Sequence, residues 1–243
     1  PPKQSWYFPA ERIANLKTTL DSSFGKIHFA ELYGRNVGAN ILGFLIIGLL
    51  NLFTPLKFFK IQRAFLLDGG WILILSFYPF VICIGIALQY FVQRPVTNMI
   101  NRMRKGLKIE AALEEKAKRR LLNLPVIIGL VNFAMWISLT ALLGAFFIIF
   151  RDAPLSIVFF VQFRGFMVGY ISALISFYLI EAYCRKRLVR ILFPEGKLAR
   201  IPGTVKFSIL RRIRVLYGVG TLAPMIILVG TLAFILWELE GSN

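Results

Sequence analysis

The sequence predicts an all-α fold, a polytopic membrane helical bundle with five transmembrane helices. Its N-terminus is expected in the cytoplasm and is preceded into the membrane by an amphipathic interfacial helix. Three observations carry this. The 243-residue chain is 57% apolar, with a mean hydropathy of +0.69. It holds five apolar runs of about 20 residues, the length that crosses a hydrocarbon core. And its 29 Lys and Arg against 12 Asp and Glu are crowded between those runs rather than within them, as residues too costly for lipid must be.

The spans fall at about 37–56, 71–92, 125–150, 165–183 and 215–237. The first is free of charge between Arg35 and Lys57, and the second is bounded by Asp68 and Arg94. The third is uncharged from Pro125 to Phe150 and stops at Arg151-Asp152. The fourth carries one carboxylate, Glu181, near its end; Leu155–Phe163 before it is itself apolar and fits an interfacial segment or an extended start. The fifth follows Arg211, Arg212 and Arg214 and closes at Trp237. Pro79, Pro125 and Pro224 are expected to kink their helices.

Orientation follows from the connections. Segments 1–36, 94–123 and 184–214 share one side and hold 24 of the 29 basic residues. Positive charge marks the cytoplasmic side, so the chain is expected in the cell (inner) membrane with its C-terminal tail outside. Because topology accounts for the charge, no nucleic-acid partner is expected from it, and anionic lipids at the cytoplasmic face are.

Two regions emerge: a cytoplasmic N-terminal segment, 1–36, and the bundle, 37–243. Within the first, Ile13, Leu16, Leu20 and Phe24 recur at helical spacing opposite Arg12, Asn15 and Lys17, after Trp6, Tyr7 and Phe8. That is the pattern of an in-plane helix with aromatic anchors. Each long inner segment ends in arginines leading into a Pro-containing span, so the chain reads as repeated hairpins, the third without its returning helix. That predicts a piece of something longer.

Soluble catalytic signatures such as G-x-x-x-x-G-K-[ST] or H-E-x-x-H are missing. His28 is a lone imidazole, and Cys83 and Cys184 are too few for a disulfide framework. Cys184 offers a palmitoylation position at the inner interface. No catalytic, cofactor-binding or metal residue is assigned. Polar residues within spans are costly in lipid and face partners: Asn40, Asn51, Gln89, Asn132, Ser138, Thr140, Ser172, Ser176, Glu181 and Thr221. Glu181 is read as the i,i+4 partner of Arg185, and Arg164, with Gln162, as snorkelling to the outer headgroups. Gly165, Gly169 and Ala173 make a small-residue face, as do Gly34 and Gly38, for packing within the chain or in a homodimer.

Two stretches carry a resemblance. RRLLNLPVIIGLVNFAMW (Arg119–Trp136) resembles the third-helix region of the six-helix membrane domains of bacterial class III adenylate/guanylate cyclases that carry a HAMP linker. EAYCRKRLVRILFPEGKL (Glu181–Leu198) is similar to that family's fourth-helix exit, with its acidic residue, basic turn and Leu-Phe-Pro-x-Gly run. The resemblance implies a fragment that lacks the last helix, the HAMP and the catalytic domain. It implies a membrane anchor or receptor, dimeric as a homodimer, that passes a signal from a lipophilic ligand, the membrane or a partner protein to a cyclic-nucleotide output. Mg or Mn with ATP belongs only to the absent catalytic domain. Asn132, Trp136, Arg164, Glu181 and Arg185 are the candidate transmission residues, and RPVTNMINRMRKG, opening at Arg94-Pro95, is a HAMP-like inner segment. A transporter or channel subunit, or a structural subunit of a membrane complex, is the alternative.

Overall fold

The computed structural model describes residues 29–52, 71–193 and 209–240, with 60, 63, 64 and 67 in the first connection. The amphipathic segment at 9–24, Trp6 to Phe8, His28 and the basic stretch 194–208 lie outside the described residues. Among the described residues the protein is helical, without strands. The elements are α1 (Phe29–Leu52), α2 (Trp71–Arg104), α3 (Ala111–Arg151) and α4 (Leu155–Tyr183). A π-helical segment, Cys184–Leu188, joins α4 to the single turn α5 (Val189–Leu192). Then come α6 (Ile209–Tyr217), a second π segment at Gly218–Leu222, and α7 (Ala223–Glu240). Among the described residues, five helices are long and apolar enough to cross a membrane.

The helices run beyond the apolar stretches that define the spans. At 1.5 Å per residue, α2 with its 34 residues is roughly 51 Å long and α3 with 41 residues roughly 61 Å, against about 30 Å of hydrocarbon. Arg94-Pro95 therefore opens no separate inner helix: both lie inside α2, which continues through them and through Pro79. The charged residues from Glu114 to Arg120 likewise belong to the start of α3, which passes through Pro125. Leu155–Phe163 is the extended start of α4, not a separate interfacial piece. Pro224 is handled differently. Its ring crowds the carbonyl four residues back, at Gly220, and the wider π turn of Gly218–Leu222 sits there.

Short turns fold α2, α3 and α4 into antiparallel neighbours. After Arg104, Leu107 N–H returns to Arg102 O at 3.0 Å and Gly106 N–H to Met103 O at 3.1 Å. This Schellman arrangement needs a left-handed residue, which Gly106 supplies at φ +63°. Arg102 then pairs with Glu110 at 3.3 Å across the loop. Between α3 and α4, Asp152 takes φ 45° and Pro154 sits at the N-cap of the next helix.

Two kinds of force hold the bundle. At the basic end, where α2 and α3 run on past their uncharged stretches, an apolar core forms, and burial of that surface contributes there. Leu32 of α1, Val96, Met99 and Ile100 of α2, Leu121, Leu124 and Ile128 of α3, and Ile180, Tyr183, Leu188 and Leu192 are all buried together. Cys184 is part of this core at 4% exposure, so its thiol is covered by protein rather than presented at the interface for acylation. Within the spans lipid is as apolar as the side chains, and close packing must substitute. The face Gly165–Gly169–Ala173 meets α3: a Cβ on Gly169 would lie 2.7 Å from Trp136 Cβ, one on Gly165 would strike the Thr140 side chain, and one on Gly129 of α3 would lie 3.2 Å from Ala173 O. That stripe serves packing within the chain. Gly34 and Gly38 have nothing within 4 Å of an added Cβ.

The α3–α4 interface is the most extensive, followed by α2–α3 and α1–α4. The fifth span, α6 through α7, lies against α4, with Ala223 and Ile227 beside Ile171 and Phe234 stacked on Phe160 at 4.3 Å.

Candidate functional site

Four polar i,i+4 pairs, one per helix, converge where α1 to α4 meet. They are Asn36 and Asn40 on α1, Gln89 and Gln93 on α2, Asn132 and Trp136 on α3, and Ser172 and Ser176 on α4. One turn of spacing stacks each pair on the same face of its helix. Asn36 is the hub. Its Nδ2 donates to Gln89 Oε1 at 2.8 Å. Its Oδ1 accepts from Asn132 Nδ2 at 2.6 Å and from Ser176 Oγ at 2.7 Å. One carboxamide thereby ties four helices.

Asn40 repeats the arrangement a turn later. Its Nδ2 donates to Asn36 O at 2.9 Å, and its Oδ1 accepts from Trp136 Nε1 at 2.9 Å. Ser172 Oγ lies 3.1 Å from Ala39 O and 3.3 Å from Asn40 Oδ1, so its single hydrogen serves one of them at a time. The Trp136 ring also leans on Phe44, centroids 4.9 Å apart. Asn36, Gln89, Gln93, Asn132, Ser172 and Ser176 are all buried. The Nε2 atoms of Gln89 and Gln93 are buried without a hydrogen-bond partner.

Further along the α3–α4 interface, Thr140 Oγ1 lies 3.0 Å from Trp136 O, 3.2 Å from Ile137 O and 3.2 Å from Gln162 Oε1 of α4, so its single hydrogen serves one of them at a time. Arg164 does not snorkel. It is 6% exposed, its guanidinium 5.3 Å from the Phe160 ring centroid and its Nη2 3.5 Å from Ile47 O. An arm long enough to reach headgroups is instead turned inward onto an aromatic face and a backbone carbonyl, which compensate part of its lost hydration.

Of the five transmission candidates, the structure brings two together: Asn132 and Trp136. Arg164 sits about 12 Å along α4 from Ser172, by eight residues of helical rise. Glu181 is half-buried beyond Ser176, and Arg185 is exposed in the π segment. Asn36 and Gln93 belong to the cluster and fall outside the spans drawn from hydropathy, by one residue each. The signal that finds them is the i,i+4 polar repeat itself.

Every group in the cluster is neutral, and no trio of His, Cys, Asp or Glu suited to a metal occurs among the described residues. The arrangement holds helices in register. In hydrocarbon a polar group left unpaired is costly, and each interhelical bond contributes on the order of 0.6 kcal/mol. No protein-family model, curated protein or solved structure matches this chain.

Proposed function

We propose that this chain is the membrane anchor and receptor domain of a signalling enzyme, an adenylate or guanylate cyclase that makes a cyclic nucleotide. It passes a membrane or ligand signal to a dimeric cytoplasmic output. The N-terminus and the basic end face the cytoplasm of the inner membrane, against anionic lipid, and two copies of the chain form the functional unit. Asn132 and Trp136, within the stretch that resembles the cyclase family, lie in the polar lock; Glu181 and Arg185 lie at the exit that leads toward the output.

One observation carries this reading: the fifth span is held differently from the other four. The helices α1 to α4 are joined through the hydrogen bonds of Asn36, whereas the fifth span meets α4 through the apolar and ring contacts of Ala223, Ile227 and Phe234. A signal transmitter needs an element with two accessible positions relative to a fixed frame. The fifth span, held by Ala223, Ile227 and Phe234, meets that need. A transporter reading calls for a polar path, yet Gln89 Oε1 and Asn132 Nδ2 are bonded to Asn36.

The test is the full-length gene product in isolated membranes, assayed for cyclic-nucleotide formation from ATP and GTP with Mg or Mn. Turnover that changes when Ile227 or Phe234 is enlarged supports transmission through the fifth span. Membranes with the full-length protein and no turnover overturn the proposal.

A further inference from the structure

At the basic end, α1 and the exit of α4 leave a cleft of about 250 Å³ lined by Glu31, Arg35, Ala182, Tyr183, Lys186 and Arg187. We propose that this cleft binds the phosphate of an anionic lipid headgroup. The proposal does not depend on the signalling reading.

The chemistry is that of an anion site. Three cations face one carboxylate, and none of Arg35, Lys186 or Arg187 forms an ion pair with a described acid. Arg35 is preorganised: its guanidinium lies 5.4 Å from the centroid of the Tyr183 ring, and its Nε is buried without a hydrogen-bond partner. A guanidinium held against an aromatic ring keeps its outer N–H groups for a tetrahedral oxyanion. Lys186 and Arg187 reach the cleft from the π segment Cys184–Leu188, the kind of helix insertion that concentrates at functional sites. Arg185, in the same segment, does not line it.

Place selects a lipid over a free anion. Arg35 immediately precedes the apolar stretch of α1, and Tyr183 ends that of α4, so the cleft lies at the level where headgroups meet acyl chains. Exposed Leu42 and Leu49, seven and fourteen residues on from Arg35 and so on its face of α1, offer a path for an acyl chain. The volume is below the roughly 300–1,000 Å³ of pockets that enclose a drug-sized ligand, which suits a headgroup whose tails stay in the bilayer. Basic pockets between transmembrane helices bind phosphate headgroups for these reasons.

The experiment takes the full chain, reconstituted in phosphatidylcholine nanodiscs with graded phosphatidylglycerol and released for native mass spectrometry of lipid adducts. One retained phosphatidylglycerol per chain is expected. Arg35→Gln and the double substitution Lys186→Gln with Arg187→Gln should each weaken retention about tenfold, the loss of one strong charge-assisted contact. Arg185→Gln removes the same charge from the same segment and should change retention by less than about twofold. Equal weakening by Arg185→Gln means a diffuse electrostatic layer and overturns the site. Displacement of the adduct by inorganic phosphate alone means a free-anion site and overturns the lipid assignment. Should Arg35→Gln fail to fold, the exposed Lys186 and Arg187 pair carries the test, with helical content and melting checked on each variant.

Discussion

Asn132 of α3 donates its carboxamide proton to Asn36 Oδ1 of α1 across 2.6 Å and 96 residues of sequence. The same oxygen takes Ser176 Oγ, and the same side chain gives a proton to Gln89. Replacing Asn36 by Leu leaves three partners without it at once. Three interhelical bonds at about 0.6 kcal/mol each predict a loss near 2 kcal/mol, more if the orphaned amides stay dry. Unfolding of the purified chain in mixed micelles by SDS titration measures it. An Asn132→Leu variant, which removes one of the three, should lose less.

The glycines on α4 and α1 predict opposite behaviour. Gly169→Ala drives a methyl toward Trp136 and should cost about 1–3 kcal/mol through overpacking. Gly34→Ala meets nothing within 4 Å and should be neutral or slightly stabilising, since Ala is the better helix former. The pair of melting temperatures in detergent decides it; equal losses at the two sites would contradict the α3–α4 contact described here.

Trp136 is 4% exposed and bonded to Asn40, whereas Trp237 is 59% exposed on the fifth span. With the other three tryptophans changed to Phe, single-Trp chains in bilayers containing brominated lipid should separate clearly. Trp237 should be quenched strongly and Trp136 weakly. Asn40→Leu should then alter Trp136 emission, because the indole N–H loses its acceptor and a buried donor seeks another.

Gly106 holds the α2–α3 turn at φ +63°, a conformation that costs other L-residues on the order of 1–2 kcal/mol. Gly106→Val should loosen this hairpin without touching the spans. Limited proteolysis near Lys105 and Lys108 should accelerate, while the emission of buried Trp136 stays as it was.

The spans and the character of the basic segments were legible because hydropathy and charge are local properties. Asn36 and Gln93 were not. A hydropathy boundary is drawn where apolar character gives way to charge, here beside Arg35 and Arg94, but a helix stops only where its backbone does, and both residues sit one position past such a boundary. Arg164 was misplaced for a related reason: its flexible arm can point to either phase, and Phe160 and Ile47, which fix it inward, are set by tertiary contact. The small-residue spacing of Gly165, Gly169 and Ala173 announced a close approach, while the partner, α3, was readable from the fold alone. Among transmission candidates, Asn132 and Trp136 share a helix face by spacing, but their acceptors lie 96 residues away.

The polar lock also constrains how the protein is made. Asn36 and Asn40 enter the membrane with α1, yet their partners on α3 and α4 are synthesised about a hundred residues or more later. Until those helices arrive, the first one carries unpaired carboxamides that lipid alone cannot satisfy. Gln89 is the first partner to emerge, so the opening hairpin can shelter one amide while the rest wait beside the insertion machinery. α1 is thus made before its partners and satisfied only after them, and chains cut short before Ser176 should be held there or cleared by quality control.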